Sequence, residues 1–330
     1  MRQSEIKRIS ERNRKQLVRY QAERRRDMYV LLDNTASVIE RVIMQVSDEG
    51  KVDPASVGFI HTGITAAMVG LRPRMRSLIV SSMKHSADLG IMQGIYSSVN
   101  HKGHQVGTSY FDVQGRIRRS DPAREKFIDS KWAKLQSKIV GEQLVFHKTG
   151  TTLTESIYDT ARQAERNLKA QIGSAAVMDA PVKEVTSIVS NALTRPAKEV
   201  RQAIERGSKV ISQAAADAPV TPGYSASAFT NFSALLTIKT QSAYNGGVKG
   251  YAGSKPMVKG YISRVHTGNP EPYDASINGL YFPKGQEPDP PYHFGCQCTL
   301  ELVYDEPAQS QWGDEEQRRG YDYWMSKNVA

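Results

Sequence analysis

Residues 290–304 read PPYHFGCQCTLELVY, and this stretch decides how the chain closes. Cys298, Leu300, Leu302 and Tyr304 alternate with polar or thin residues, the period-two pattern of a strand with one face turned inward. Pro290-Pro291 forces an extended entry into it. Residues 258–265 and 280–282 have the composition of two more short strands. Between them and the body lies GGVKGYAG, 246–253, with too many glycines for a helix and no strand-turn-helix setting for a phosphate loop; a flexible connector is expected there.

Outward from this module the chain is helical. Met28, Leu31, Leu32, Val38, Ile39, Val42, Ile43 and Val46 fall on one helical stripe; Gly50 and Pro54 interrupt it. Ile64, Met68, Leu71, Met75 and Leu78 resume the period, with Pro73 expected to kink the helix. Residues 98–120 carry no period and read as a loop; its His101 and His104 are taken as solvated. Asp121-Pro122 is a helix start, followed by the face Ile128, Trp132, Leu135, Ile139 to about His147. Thr154 is the expected cap of the next helix, whose face is Ile157, Ala161, Ala164, Leu168 and Ile172. Pro181 opens a short helix with Val185, Ile188, Val189 and Leu193; Pro196 ends it or begins one carrying Val200 and Ile204. Residues 215–223 are a loop, and 225–245 a helix with Phe229, Phe232, Leu235 and Leu236.

The expected fold class is therefore α+β, mainly α-helical: a helical body with a small C-terminal α+β module of short strands. The organisation expected is a basic arm (1–27), a helical region with a loop at 98–120 (28–147), a helical body (148–245), the module (246–304) and an acidic, aromatic tail (305–330). Trp312, Tyr321, Tyr323 and Trp324 suit that tail either to dock on a partner or to pack on the body.

A hydrophobic share of 39%, before glycine, is ordinary for a folded chain. No unbroken run approaches the roughly 18 apolar residues of a membrane helix, and MRQSEIKRIS lacks the apolar core of a secretory signal, so no membrane span and a cytosolic origin are expected. Two cysteines one residue apart exclude a disulfide framework and leave metal binding or inert burial.

The net charge of +10 is unevenly spread. Residues 1–30 carry ten basic side chains against four acidic, and residues 301–330 three against seven. Arg2, Lys7, Arg8, Arg12, Arg14, Lys15, Arg24, Arg25 and Arg26 are candidates for sequence-blind phosphate contact with nucleic acid; a solvated helix face is the other reading.

The densest chemistry is His293, Cys296 and Cys298. In extended chain both cysteines fall on one face, so both sulfurs and the imidazole can meet one tetrahedral Zn²⁺. A fourth ligand must come from elsewhere, with His266 and Asp274 the nearest candidates. The alternative is a satisfied histidine beside two buried thiols. Zn²⁺ is the one cofactor suggested.

A proline-rich entry followed by His-x-x-Cys-x-Cys at the end of a helical chain resembles the phage Mu F-like head morphogenesis (minor head) family, whose pattern is Pro-x-His-Pro-x-Cys-Arg-Cys. Ile238-Lys239-Thr240-Gln241 with Ala243-Tyr244-Asn245 resembles the family's Ala-Arg-Thr-Glu helix and downstream Ala-x-Asn, and Ile277-Asn278-Gly279 the turn before the last strand. The resemblance covers about residues 150–304. Phe294 and Gln297 stand where the pattern has proline and arginine, Lys239 and Gln241 where it has Arg and Glu. The resemblance implies a non-enzymatic structural protein of the virion, in the phage head near the portal and in the host cytoplasm during assembly. Implied partners are the portal protein and the major capsid protein, with packaged double-stranded DNA and a part in genome packaging or ejection.

The runner-up is a DNA-binding protein acting outside any particle. A zinc-dependent hydrolase is less favoured, because it needs an open coordination position and a nearby base. Ser81-Ser82-Met83-Lys84 and Lys148-Thr149-Gly150 match S-x-x-K and K-T-G, but the second sits at a helix break instead of on a strand.

Overall fold

The computed structural model describes residues 3–101, 122–146, 150–195, 227–252, 255–266, 271–291 and 296–328. The fold is mainly α-helical α+β. The chain divides into two compact units, one from Met1–Val18, Ser82–Gln143 and Ile238–Ala330, the other from Arg19–Ser81 and Leu144–Thr237. Neither is continuous in sequence, for a geometrical reason. Helix α1 (Gln3–Gln45) has 43 residues and α2 (Val57–His101) has 45. At 1.5 Å per residue each is roughly 65 Å long, about twice the width of a small domain. One amphipathic helix thus contributes to two cores, and the boundary expected after residue 27 falls inside α1.

The second unit is helical. The stripe of α1 buries Met28, Leu32, Ala36, Ile39 and Ile43, whereas Val38, expected on it, is exposed. Ile60, Ile64, Met68, Leu71, Met75 and Ile79 of α2 are buried as well. By length and composition 54–95 is apolar enough to cross a membrane, which a search for an unbroken apolar run passes over. Helix α2 continues through Pro73, whose ring lies exposed.

Between the two helices Ser47–Asp48 (β1) pairs antiparallel with Lys51–Val52 (β2). Glu49 and Gly50 turn the hairpin at φ 46° and 77°. Helix α4 (Leu153–Val177) buries the face expected of it; its cap, however, is Thr152, not Thr154. Thr152 and Glu155 exchange side-chain-to-backbone bonds, a capping box that Thr154 has no Glu three residues on to make. Helix α5 (Val182–Thr194) buries Val185, Val189 and Leu193. The expected elements at 196–226 lie outside the described residues.

The first unit holds the sheet. Helix α3 (Pro122–Glu142) ends five residues before the expected His147, and its Asp121 cap lies outside the described residues, as does 102–120 of the expected loop; 98–101 belong to α2. Strands β3 (Gly260–Arg264), β4 (Tyr281–Pro283) and β5 (Thr299–Val303) occur where expected and form an antiparallel sheet in the order β4-β3-β5. Tyr261 pairs with Phe282 on one side and Leu302 on the other. Tyr261, Leu300, Leu302 and Tyr304 pack on Ile6, Leu17, Leu89, Tyr244 and Val248 of the helices.

The glycine-rich stretch is not a connector. Helix α6 (Ala228–Ala252) runs through Gly246, Gly247 and Gly250. These glycines face other helices: a Cβ on Gly247 would meet the Ala87 carbonyl at 2.4 Å, and one on Gly90 the Tyr244 carbonyl at 1.9 Å. Backbone contact between α2 and α6 outweighs the roughly 1 kcal/mol helix penalty of each glycine.

The acidic tail packs on the same unit. Short α7 (Pro272–Ile277), α8 (Glu315–Arg318) and α9 (Tyr321–Asn328) come together there. Tyr321 and Trp324 stand edge-on to Tyr273, and Trp312 edge-on to Tyr281.

Candidate metal centre

The site is built from α7, α6 and the segment entering β5. Pro272 at the first position of α7 starts a helix that turns Tyr273, Asp274 and Ile277 inward. Cys296 and Cys298 approach in extended chain, one residue apart and 1% and 0% exposed.

Helix α6 holds this segment. Gln241 and Asn245, one turn apart, donate to the Cys298 carbonyl at 2.8 and 3.1 Å; Asn245 Oδ1 also accepts from the Leu300 amide at 3.2 Å. From α2, Gln93 donates to the Leu300 carbonyl at 3.0 Å. Side chains thereby satisfy the outer edge of β5, which would otherwise carry buried unmade bonds. The peptide between Pro290 and Pro291 at the entry is cis. Lys249 pairs with Glu287 at 2.8 Å and anchors the preceding loop to α6.

One ligand atom each from Asp274, Cys296 and Cys298 lies within 4.8 Å of the others, and all three residues are buried. Zn–S bonds of about 2.3 Å at a tetrahedral angle set two sulfurs about 3.8 Å apart, so the set fits zinc after a small contraction. Two thiols and a carboxylate are also the donors zinc prefers over calcium or magnesium. The neighbouring Cys296 thiol, burial and Asp274 push the Cys298 thiol well above its ordinary range, so Cys298 is protonated in the metal-free protein. A divalent cation reverses that balance and displaces the proton. Tyr273, Ile277 and Phe282 wall the cluster.

Of the two residues nominated as further ligand, the geometry brings in Asp274 and not His266. Successive residues of an extended chain face opposite ways, so Thr299 points away from the Cys298 side chain. His266 is on the Thr299 side, its Nε2 2.8 Å from Thr299 Oγ1. Burial, with Arg14 and Arg264 near, lowers its pKa to about 3, so it is neutral. His293 lies outside the described residues.

The neutral His266 has a measurable consequence. Its folded pKa lies below the unfolded value near 6.5, so between about pH 6.5 and 3 the unfolded chain binds the extra proton and stability falls as pH falls. His266→Gln, which keeps a partner for Thr299, is expected to flatten the loss across that window in urea titrations at stepped pH. A wild-type slope in the variant would show that the histidine is not its source.

The N-terminal basic residues part into two groups. Lys7, Arg8, Arg12, Lys15 and Arg26 are exposed on α1, and Arg14 is half-buried. Arg24 is half-buried, bound to Asp27 at 2.9 Å and set over the Tyr20 ring. Arg25 cannot contact nucleic acid in this fold. It sits on the stripe that buries Leu17, Gln21 and Met28, and its guanidinium donates to Thr237 Oγ1 at 2.7 Å. Burial lowers its pKa to about 10. Arg2 lies outside the described residues.

Sequence reasoning did not find the role of Lys239, buried on α6 with Nζ donating to the Gln143 carbonyl just past α3 at 2.6 Å. Of the S-x-x-K and K-T-G matches, Ser81 and Lys84 are exposed within α2, and Lys148 and Thr149 lie outside the described residues.

Removing one sulfur tests the centre. Wild-type protein purified with added zinc is expected to retain about one equivalent by elemental analysis, and Cys296→Ser or Asp274→Asn markedly less. Zinc-free wild type would reject the site.

No known protein family, curated protein or solved structure matches this chain.

Proposed function

We propose that this chain is a minor head protein of a bacteriophage, a structural component of the virion that works in head assembly with the portal and major capsid proteins. One observation supports the reading most. The segments that carry the resemblance, far apart in sequence, meet on the paired strands β3 and β5: Gln241 and Asn245 hold the Cys298 carbonyl at the entry to β5, and the Ile277-Asn278-Gly279 turn is tied to the β3 end. Asn278 Oδ1 accepts from the Val265 amide at 3.1 Å, and the Gly279 amide donates to the Ser263 carbonyl at 2.8 Å. In this reading zinc at Asp274, Cys296 and Cys298 pins the module and does no chemistry on a substrate, since the three donors are buried.

The deciding experiment is a tagged copy of the gene expressed during particle production. The chain is expected to band with DNA-filled heads in a density gradient; recovery only from the soluble fraction would reject the reading.

The exposed ridge Arg8, Arg12, Lys15 favours contact with packaged double-stranded DNA, and equally the second reading, a DNA-binding protein outside any particle. In a filter-binding series over salt, replacing these three by Glu is expected to reduce the slope by about 3, near 0.9 per phosphate released. An unchanged slope removes DNA from the ridge. Binding without co-banding would favour the second reading.

A further inference from the structure

Every exposed large hydrophobic side chain among the described residues belongs to the second unit. The four most exposed gather at one end of it: Met44 (58%), Phe59 (56%), Val177 (80%) and Met178 (78%). Several contacts define that end. The Val182 amide donates to the Gly50 carbonyl at 2.9 Å, and Lys51 pairs with Asp179 at 2.9 Å, tying the β1–β2 hairpin to the turn between α4 and α5. His61 Nε2 lies 3.1 Å from the Lys169 carbonyl, which places the start of α2 beside the C-terminal half of α4.

The outward pose of Val177 and Met178 is held in place. Met178 caps α4, its amide bonded to the Ser174 carbonyl, and the Ala180 amide reaches the Ala175 carbonyl at 3.0 Å. Asp179 between them takes a left-handed φ of 62°, a conformation disfavoured for a non-glycine residue. This tight turn projects both side chains from a closed helix end.

The rim is acidic. Asp48, Glu49, Asp53, Asp179 and Glu184 are exposed around the patch against Lys51 and Lys183. This local excess of three negative charges stands in a chain whose net charge is +10. We infer that this end of the second unit is a docking surface for a protein segment with an apolar stripe flanked by Lys and Arg. An apolar centre inside a charged rim is the anatomy of a protein interface, and exposed Phe and Met are suitable anchors. The sign of the rim selects the occupant. A second copy placed patch to patch would bring two acidic rims together, and an anionic membrane would repel the same carboxylates.

The test uses the full chain and a fluorescein-labelled amphipathic Leu/Lys helix, followed by anisotropy at low and high salt. Saturable binding is expected, weakened about tenfold or more by Val177→Asp with Met178→Asp, a loss in the range of removing an interface anchor. Asp48→Asn with Glu49→Gln and Asp53→Asn is expected to lower the salt dependence and leave the apolar contribution. Both variants change exposed side chains, and unchanged circular dichroism verifies their folding. Equal binding by the aspartate variant overturns the inference, as does preference for a Leu/Glu helix of the same pattern. So would dimerisation abolished by Met178→Asp, or recruitment to phosphatidylglycerol vesicles.

Discussion

Gly90→Ala is expected to destabilise the first unit by roughly 3 kcal/mol, the upper part of the range for overpacking a close contact. The same substitution at Gly70, on the same helix, is expected to stabilise by about 0.5–1 kcal/mol. Both replace glycine inside α2, where alanine is the better helix former. The difference is what the new methyl meets. At Gly70 nothing lies within 4 Å, whereas at Gly90 the Cβ would stand 1.9 Å from the Tyr244 carbonyl oxygen and 3.0 Å from the Gly247 Cα. Those are backbone atoms of α6 and cannot swing aside as a side chain would. Separating the two helices would also strain the β5 segment, which Gln93 of α2 and Gln241 and Asn245 of α6 both hold, so zinc retained at the proposed centre should fall together with stability. Urea denaturation read by circular dichroism measures both variants. A Gly90→Ala protein as stable as wild type would refute the close packing of α2 on α6.

Arg264→Met is expected to cost about 3–5 kcal/mol, because it removes the guanidinium from a buried carboxylate. Arg264 on β3 and Glu301 on β5 lie diagonally on one face of the sheet, Nε to Oε2 at 2.7 Å, and the Glu301 side chain is 1% exposed. With the guanidinium removed, the carboxylate keeps its desolvation cost and loses the 2.7 Å ion pair. The double variant Arg264→Met with Glu301→Leu is expected to regain most of the loss, since the cost belongs to the buried charge and not to absence of the pair. Equal destabilisation by the single and double variants in denaturant titrations would show that packing of the arginine stem dominates.

Glu301 also marks a boundary of what period two can disclose. Alternation along 298–304 predicts a strand with Leu300 and Leu302 inward, and those residues are buried. It also implies that Thr299 and Glu301 face solvent, yet all five residues of β5 are buried. The ion pair with Arg264 and the bond from His266 to Thr299 are the compensations that allow the second face to be covered. They come from 33 to 37 residues upstream in the chain, beyond the reach of any local pattern.

What the amino-acid order determined by itself was local: the buried stripes of α1, α2, α4 and α5, the positions of β3, β4 and β5, and Cys296 and Cys298 on one face. Each follows from a backbone period of 3.6 or 2 acting over a few residues. Tertiary structure alone decided that GGVKG is helical, because the approach of Ala87 and Gly90 to Gly247, and of Leu135 and Ile139 to Gly246 and Gly250, gives those glycines a use. It decided too that Arg25 turns inward to Thr237 although its neighbours Arg24 and Arg26 do not. And it chose Asp274 over His266 for the cysteines, since strand register set the histidine on the opposite face while α7 turned the carboxylate in. Each outcome depends on contacts between residues remote in sequence, whose energies a local period does not encode.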